Sequence, residues 1–139
     1  MLQGLWTIGV KVPDLERELL FHRAAGNEIV LDETLTIDGI DYRIPLVKMG
    51  DKYLHLSEKM VYEQQLGITL PFGPTHLVYV SDDFSADVDR FQSAGATKIR
   101  EPVDVSAGFG ERRVAFLRSP SGWIFEVAKI YCHRVPEVI

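Results

Sequence analysis

The sequence predicts an α+β fold built from two tandem βαβββ modules. Three observations carry this reading. The order strand, helix, three strands is legible twice along the 139 residues. A constant step of 69 residues relates the two passages, carrying Thr7 onto His76, Asp14 onto Asp83 and Gly26 onto Gly95. Each strand alternates an apolar face with a mixed one, as a half-covered sheet requires.

The first strand is Leu5–Val12, rich in β-branched and apolar residues. Pro13-Asp14 opens a helix, because proline suits the first turn and an early aspartate meets the positive end of the helix dipole. Leu15 and Leu19 recur at helical spacing, and Gly26-Asn27 ends the helix. Asp38-Gly39 then predicts a hairpin between strands at Glu28–Ile37 and Ile40–Met49. Tyr53–Leu56 completes the first set. Met60–Gly73 reads as a connection.

The order then repeats. Thr75–Val80 is a strand, and Asp82-Asp83 caps a helix bearing Phe84, Val88 and Phe91 on one face. Gly95 ends it. Strands follow near Thr97–Val103, Arg112–Leu117 and Trp123–Ile130, the last two joined by Ser119-Pro120-Ser121-Gly122. A slip of two residues, from hairpins of unequal length, brings His55 onto Glu126. A ferredoxin-like βαββαβ domain needs only two strands between its helices, where this chain reads with four.

Strand alternation sorts the side chains. Trp6, Ile8, Val10 and Val12 share the face expected under the helices, as do Leu54, Leu56, Phe125 and Val127. Leu5, Thr7, Gly9 and Lys11, then Tyr53 and His55, then Ile124, Glu126 and Ala128, take the opposite face. His76 lies with Val78 and Val80. Glu126 is the informative residue, because an unpaired carboxylate in so apolar a run costs several kcal/mol. It calls for a proton, a cationic side chain such as Arg112 or Arg113, or a metal. His55 and His76 on the same kind of surface favour the metal. Two imidazoles and a carboxylate suit Fe, Zn, Mn, Ni or Co. His22 and His133 are expected at the surface.

Bulk properties narrow the partners. A net charge of −5 disfavours nucleic acid. No apolar run is long enough to span a bilayer and no leader is evident, so a cytoplasmic protein is expected. The single cysteine, Cys132, permits no intrachain disulfide.

Thr75-His76-Leu77-Val78-Tyr79-Val80-Ser81-Asp82 resembles the opening strand, with its metal histidine, of the vicinal-oxygen-chelate superfamily, the glyoxalase, bleomycin-resistance and extradiol-dioxygenase group. Ala94-Gly95-Ala96 is similar to its helix end, and Phe116 through Glu126 to its closing hairpin and metal glutamate. Ile8 through Leu15 fits the same opening in the first half. The resemblance implies one domain over 1–139, made of a module at 1–57, a linker at 58–73 and a module at 74–132. It implies a cupped mixed sheet with the helices on its outer face. Four equivalent positions supply ligands in this family: here Thr7, His55, His76 and Glu126. Thr7 stands where histidine or glutamine is common, so it is not expected to ligate.

The resemblance implies a class of chemistry, in which a divalent ion stabilises an oxyanion or enolate of a small substrate. Three readings follow: a metal-dependent lyase or isomerase, an Fe(II) dioxygenase on the same trio, or a metal-free drug-binding protein. Tyr53 is the candidate to orient substrate. Leu5, Val78, Arg113, Trp123 and Ile124 are candidates for the pocket wall, with Arg112 and Arg113 either meeting an anion or simply solvated. Val105–Gly110 reads as a mobile loop, either a lid or plain surface. Family members pair modules within or between chains, so a homodimer is expected.

Overall fold

The computed structural model describes residues 1–137. The chain divides into two compact units, Thr7–Thr75 and a second made of Met1–Trp6 with His76–Glu137. Each is built to the same plan.

The first unit takes the Thr7–Lys11 part of β1 (Leu2–Lys11), then α1 (Leu15–Ala24), β2 (Glu28–Leu31), β3 (Thr34–Ile37), β4 (Ile40–Arg43), β5 (Leu46–Met49), β6 (Lys52–Ser57) and α2 (Val61–Leu66). β1 lies parallel to β6, β6 antiparallel to β5, and β5 antiparallel to β2. Asp14 caps α1 by accepting from Arg17 N at 3.1 Å, which satisfies one orphan donor of the first turn. Leu15 and Leu19 bury against Val12, Val47 and Leu56, with Val10, Ile29 and Leu54 at the margin. The helix face is therefore the one strand alternation predicts.

Asp38-Gly39 does form the hairpin turn, both residues at positive φ (53° and 78°) as a two-residue primed turn needs. The strands flanking it are shorter than expected. Each is interrupted, at residues 32–33 and 44–45, so β3 and β4 form a separate two-stranded ribbon. Pro45 has no N–H to give a ladder and restricts Ile44 before it, which breaks the pairing there. The expected connection at Met60–Gly73 also contains a short helix, α2, that the sequence reading missed.

The second unit contains β7 (Gly73–Ser81) from His76 on, α3 (Phe84–Ser93), β8 (Thr97–Lys98), β9 (Val103–Ala107), β10 (Gly110–Arg118) and β11 (Ile124–His133). β7 lies parallel to β11, β11 antiparallel to β10, and β10 antiparallel to both β8 and β9. Asp83 caps α3 by accepting from Ala86 N at 3.4 Å. Phe84 and Val88 pack on Ala115, Leu117, Phe125 and Val127.

The order β1-β6-β5-β2 in one unit thus equals β7-β11-β10-β8 in the other, and the match extends to register. Gly9 pairs with His55, and Val78 with Glu126. These are equivalent positions under the 69-residue step and its two-residue slip. Each unit is a mixed sheet with one face covered by a helix. Val10, Val12, Leu54, Leu56, Phe125 and Val127 fall under the helices as alternation predicts, whereas Trp6 packs on Arg112 instead. Val105–Gly110, read from the sequence as a loop, forms the end of a β9–β10 hairpin. Val105–Ala107 belong to β9, and Phe109 at the turn is buried. Among the described residues no helix is long and apolar enough to cross a membrane.

Candidate functional site

In the first unit, Thr7, Gly9 and Lys11 of β1 face away from α1, together with Tyr53 and His55 of β6. Thr7 and Tyr53 are fully buried, and His55 is half-buried. Thr7 Oγ1 has no hydrogen-bond partner. Burial, and then the charge of Glu28, raise the Tyr53 phenol above its ordinary value, so it remains a proton-bearing donor. Lys11 is buried, and its charge is satisfied locally. Nζ donates to Glu63 Oε2 and to the Leu70 carbonyl, both at 2.8 Å. Glu63 accepts in turn from Met60 N at 2.7 Å and Leu70 N at 2.8 Å. Burial works to raise Glu63, but its hydrogen bonds with Lys11 and these amides prevail and hold it below the usual carboxylate value.

The second unit places His76 and Glu126 on adjacent parallel strands, with Ile124 opposite His76 and Val78 opposite Glu126. Phe116 of β10 stands opposite Glu126 and meets the His76 ring edge-on at 5.8 Å. His76 Nε2 lies 3.8 Å from Glu126 Oε2, and both residues are at least nine-tenths buried. Burial, reinforced by the positive charge of Arg112, lowers His76 to about 3. Its imidazole is therefore neutral at physiological pH. Burial raises Glu126 against the opposing pull of Arg112. Glu126 Oε1 is buried and without a partner.

Arg112 is the residue that sequence reasoning misjudged most. The safer expectation was solvent. Its side chain is instead buried, with the guanidinium carbon 3.9 Å from the Phe109 ring centre and 4.8 Å from that of Trp6. Trp6 and Phe109 meet edge-to-face. Arg112 Nε and Nη1 have no hydrogen-bond partner. The bulge in the β10–β11 register between Glu111 and Arg112 marks the spot, and no local sequence pattern announced it.

Other expectations are corrected. His22 is not at the surface; it completes the buried stripe of α1 with Leu15 and Leu19, and its Nδ1 lies 3.1 Å from Asn27 Nδ2. His133 is half-buried. Of the pocket-wall candidates, Val78 and Ile124 are buried beside Glu126 and His76, and Leu5 is half-buried. Trp123 and Arg113 lie elsewhere. Trp123 is 44% exposed with its ring 4.9 Å from Phe125, on the helix-bearing face. Arg113 shares that face, pairs with Asp104 at 3.2 Å, and borders an open depression of about 410 Å³ with Phe84, Lys129 and Tyr131. Alternation explains both: each is an odd step from the Glu126 row. Among the described residues, no three His, Cys, Asp or Glu side chains are gathered as a metal-holding group.

No family model and no curated protein matches the sequence. Solved structures do. A variant of Streptomyces coelicolor methylmalonyl-CoA epimerase, in complex with 2-nitronate-propionyl-CoA, superposes with a TM-score of 0.75 at 22% identity, over 95% of this chain and 100% of that one. Methylmalonyl-CoA epimerase from Mycobacterium tuberculosis gives 0.70 at 20% identity, over 94% and 90%. A variant of Streptomyces coelicolor 4-hydroxymandelate synthase gives 0.65 at 14% identity; the match covers 99% of this chain and 51% of that larger one. Together with the duplicated order and register, these likenesses show that the chain has the fold of the vicinal-oxygen-chelate superfamily.

Proposed function

We propose that the chain is a metal-dependent enzyme of the isomerase or lyase type, acting on a small substrate that chelates through oxygen. The single observation behind this is the His76–Glu126 pair: a neutral imidazole and a carboxylate, buried on adjacent strands, with one carboxylate oxygen unpartnered. A buried orphan carboxylate oxygen with an imidazole nitrogen 3.8 Å from its partner oxygen fits a divalent cation, whose charge offsets the desolvation cost of the carboxylate. The repeat assigns His55 as the third donor in this reading, with Thr7 at the fourth equivalent position as a non-ligand. Fe, Zn, Mn, Ni and Co all suit such a set. When bound, the ion supplies Lewis acidity to a substrate oxygen. The chain's own residues do the rest. Tyr53, as a protonated phenol, is the candidate to orient substrate by the repeat reading. Within the second unit, Val78, Ile124 and Phe116 exclude water around Glu126.

Chelator-stripped protein titrated with Mn²⁺, Co²⁺, Ni²⁺ and Zn²⁺ tests this. One ion per chain should bind, and His76→Ala and Glu126→Gln should each lose it; no binding by the unaltered protein ends the proposal. Exchange of a substrate proton for deuterium without oxygen uptake then separates isomerase chemistry from an Fe(II) dioxygenase. Light scattering tests the homodimer expected of such a cytoplasmic enzyme.

A second reading has its own support. Arg112 gives Glu126 a buried positive neighbour without any metal. A metal-free binding protein would use that charge pair to hold its ligand.

A further inference from the structure

The second unit contains two buried opposite charges, each left incomplete. Glu126 Oε1, Arg112 Nε and Arg112 Nη1 are all buried and all without hydrogen-bond partners. The two groups act on each other through charge. A buried guanidinium whose Nε and Nη1 donors have no partner is costly, because water no longer solvates those two atoms and no acceptor replaces it. Packing over Phe109 and Trp6 holds the group in place but supplies no acceptor. The ordinary remedies lie elsewhere: Asp104 is taken by Arg113, and Glu111 is reached by Arg134.

Charge points the same way. Glu126 and Arg112 are of opposite charge and both are buried. A divalent ion arriving on Glu126 leaves the buried group with surplus positive charge. A ligand bringing negative oxygen would relieve that surplus and occupy the idle donors together.

From this we propose that Arg112 is a substrate-binding residue, and that it makes the site select small substrates bearing a carboxylate or similar oxyanion. The inference deepens the functional reading above, since it rests on the Glu126 face being the substrate site, but it does not require the metal. Guanidinium recognises carboxylate by charge-assisted hydrogen bonds, which are stronger and more directional than neutral ones. Lysine, a compact point charge on a flexible stem, does not reproduce them.

The test uses oxalate and its uncharged counterpart oxamide as probes, each titrated calorimetrically into the full chain without metal and with Mn²⁺. Oxalate should bind and oxamide should not. Arg112→Met should weaken oxalate by at least about tenfold, and Arg112→Lys by less. Mn²⁺ alone should bind Arg112→Met at least as tightly as the unaltered protein, because a repelling charge is gone. Circular dichroism checks folding, and Arg112→Lys keeps the test readable if the methionine variant unfolds. Oxalate affinity unchanged in Arg112→Lys and Arg112→Met, or no oxalate binding by the unaltered protein, overturns the proposal. Oxalate binding that depends on Arg112 in a protein that takes no metal upholds it while ending the metal reading.

Discussion

The two units share strand order, helix caps and register, yet they treat buried charge in opposite ways. In Thr7–Thr75, Lys11 is buried and fully answered by Glu63 and a carbonyl. In the second unit, Glu126 and Arg112 are buried and left with orphan atoms. The difference lies in these charged groups, since Thr7 Oγ1 of the first unit is also a buried orphan. Unsatisfied buried groups cost stability, which is why a ligand is assigned above to Glu126 and Arg112.

The largest expected contrast is in ligand binding. Glu126→Gln should abolish metal binding, whereas Glu63→Gln, at another buried carboxylate, should leave it intact; calorimetric titration reads both. Stability should show the reverse. Lys11→Met strands the Glu63 carboxylate and should cost about 3 kcal/mol in urea unfolding. Gly110→Ala probes the second unit's turn. Its φ is +128°, and an added Cβ would fall 1.9 Å from the Cys132 carbonyl oxygen, so a loss on the order of 3 kcal/mol is expected.

Acid should separate the units by window. His76 has a folded value of about 3 against 6.5 when free. The unfolded chain therefore takes up a proton first, and the metal-free protein should lose stability as pH falls from 6.5 toward 3. His76→Gln should flatten that slope. Glu63 is lowered in the folded state, so its contribution is present above about 4.5 and lost as pH falls further. The smallest effect should come from Gly39→Ala, where the space is open and only positive φ is strained, about 1 kcal/mol by thermal melting.

Much of the fold was legible because repetition checks itself. Asp14 and Asp83 both cap helices, and alternation put Leu54, Leu56, Phe125 and Val127 under them. What was hidden depends on long-range packing. α2 is short and held by Glu63 reaching Lys11, 52 residues away. Pro45 broke a strand that local propensity joined. Arg112 and His22 looked solvated because polarity is read one residue at a time, whereas burial is decided by neighbours such as Trp6 and Phe109. Within the first unit Thr7, Tyr53 and His55 share the face away from α1, and within the second Val78 stands opposite Glu126, as period-two alternation reads them. The incorrect placement of Trp123 and Arg113 came from treating nearness in sequence as nearness on a face.

The most direct measurement is anomalous diffraction from crystals of the protein grown with Mn²⁺. The account predicts a peak bonded to His76 Nε2 and a Glu126 carboxylate oxygen, at about 2.0 to 2.3 Å. Full Mn²⁺ occupancy elsewhere, with Glu126 still bare, would contradict it.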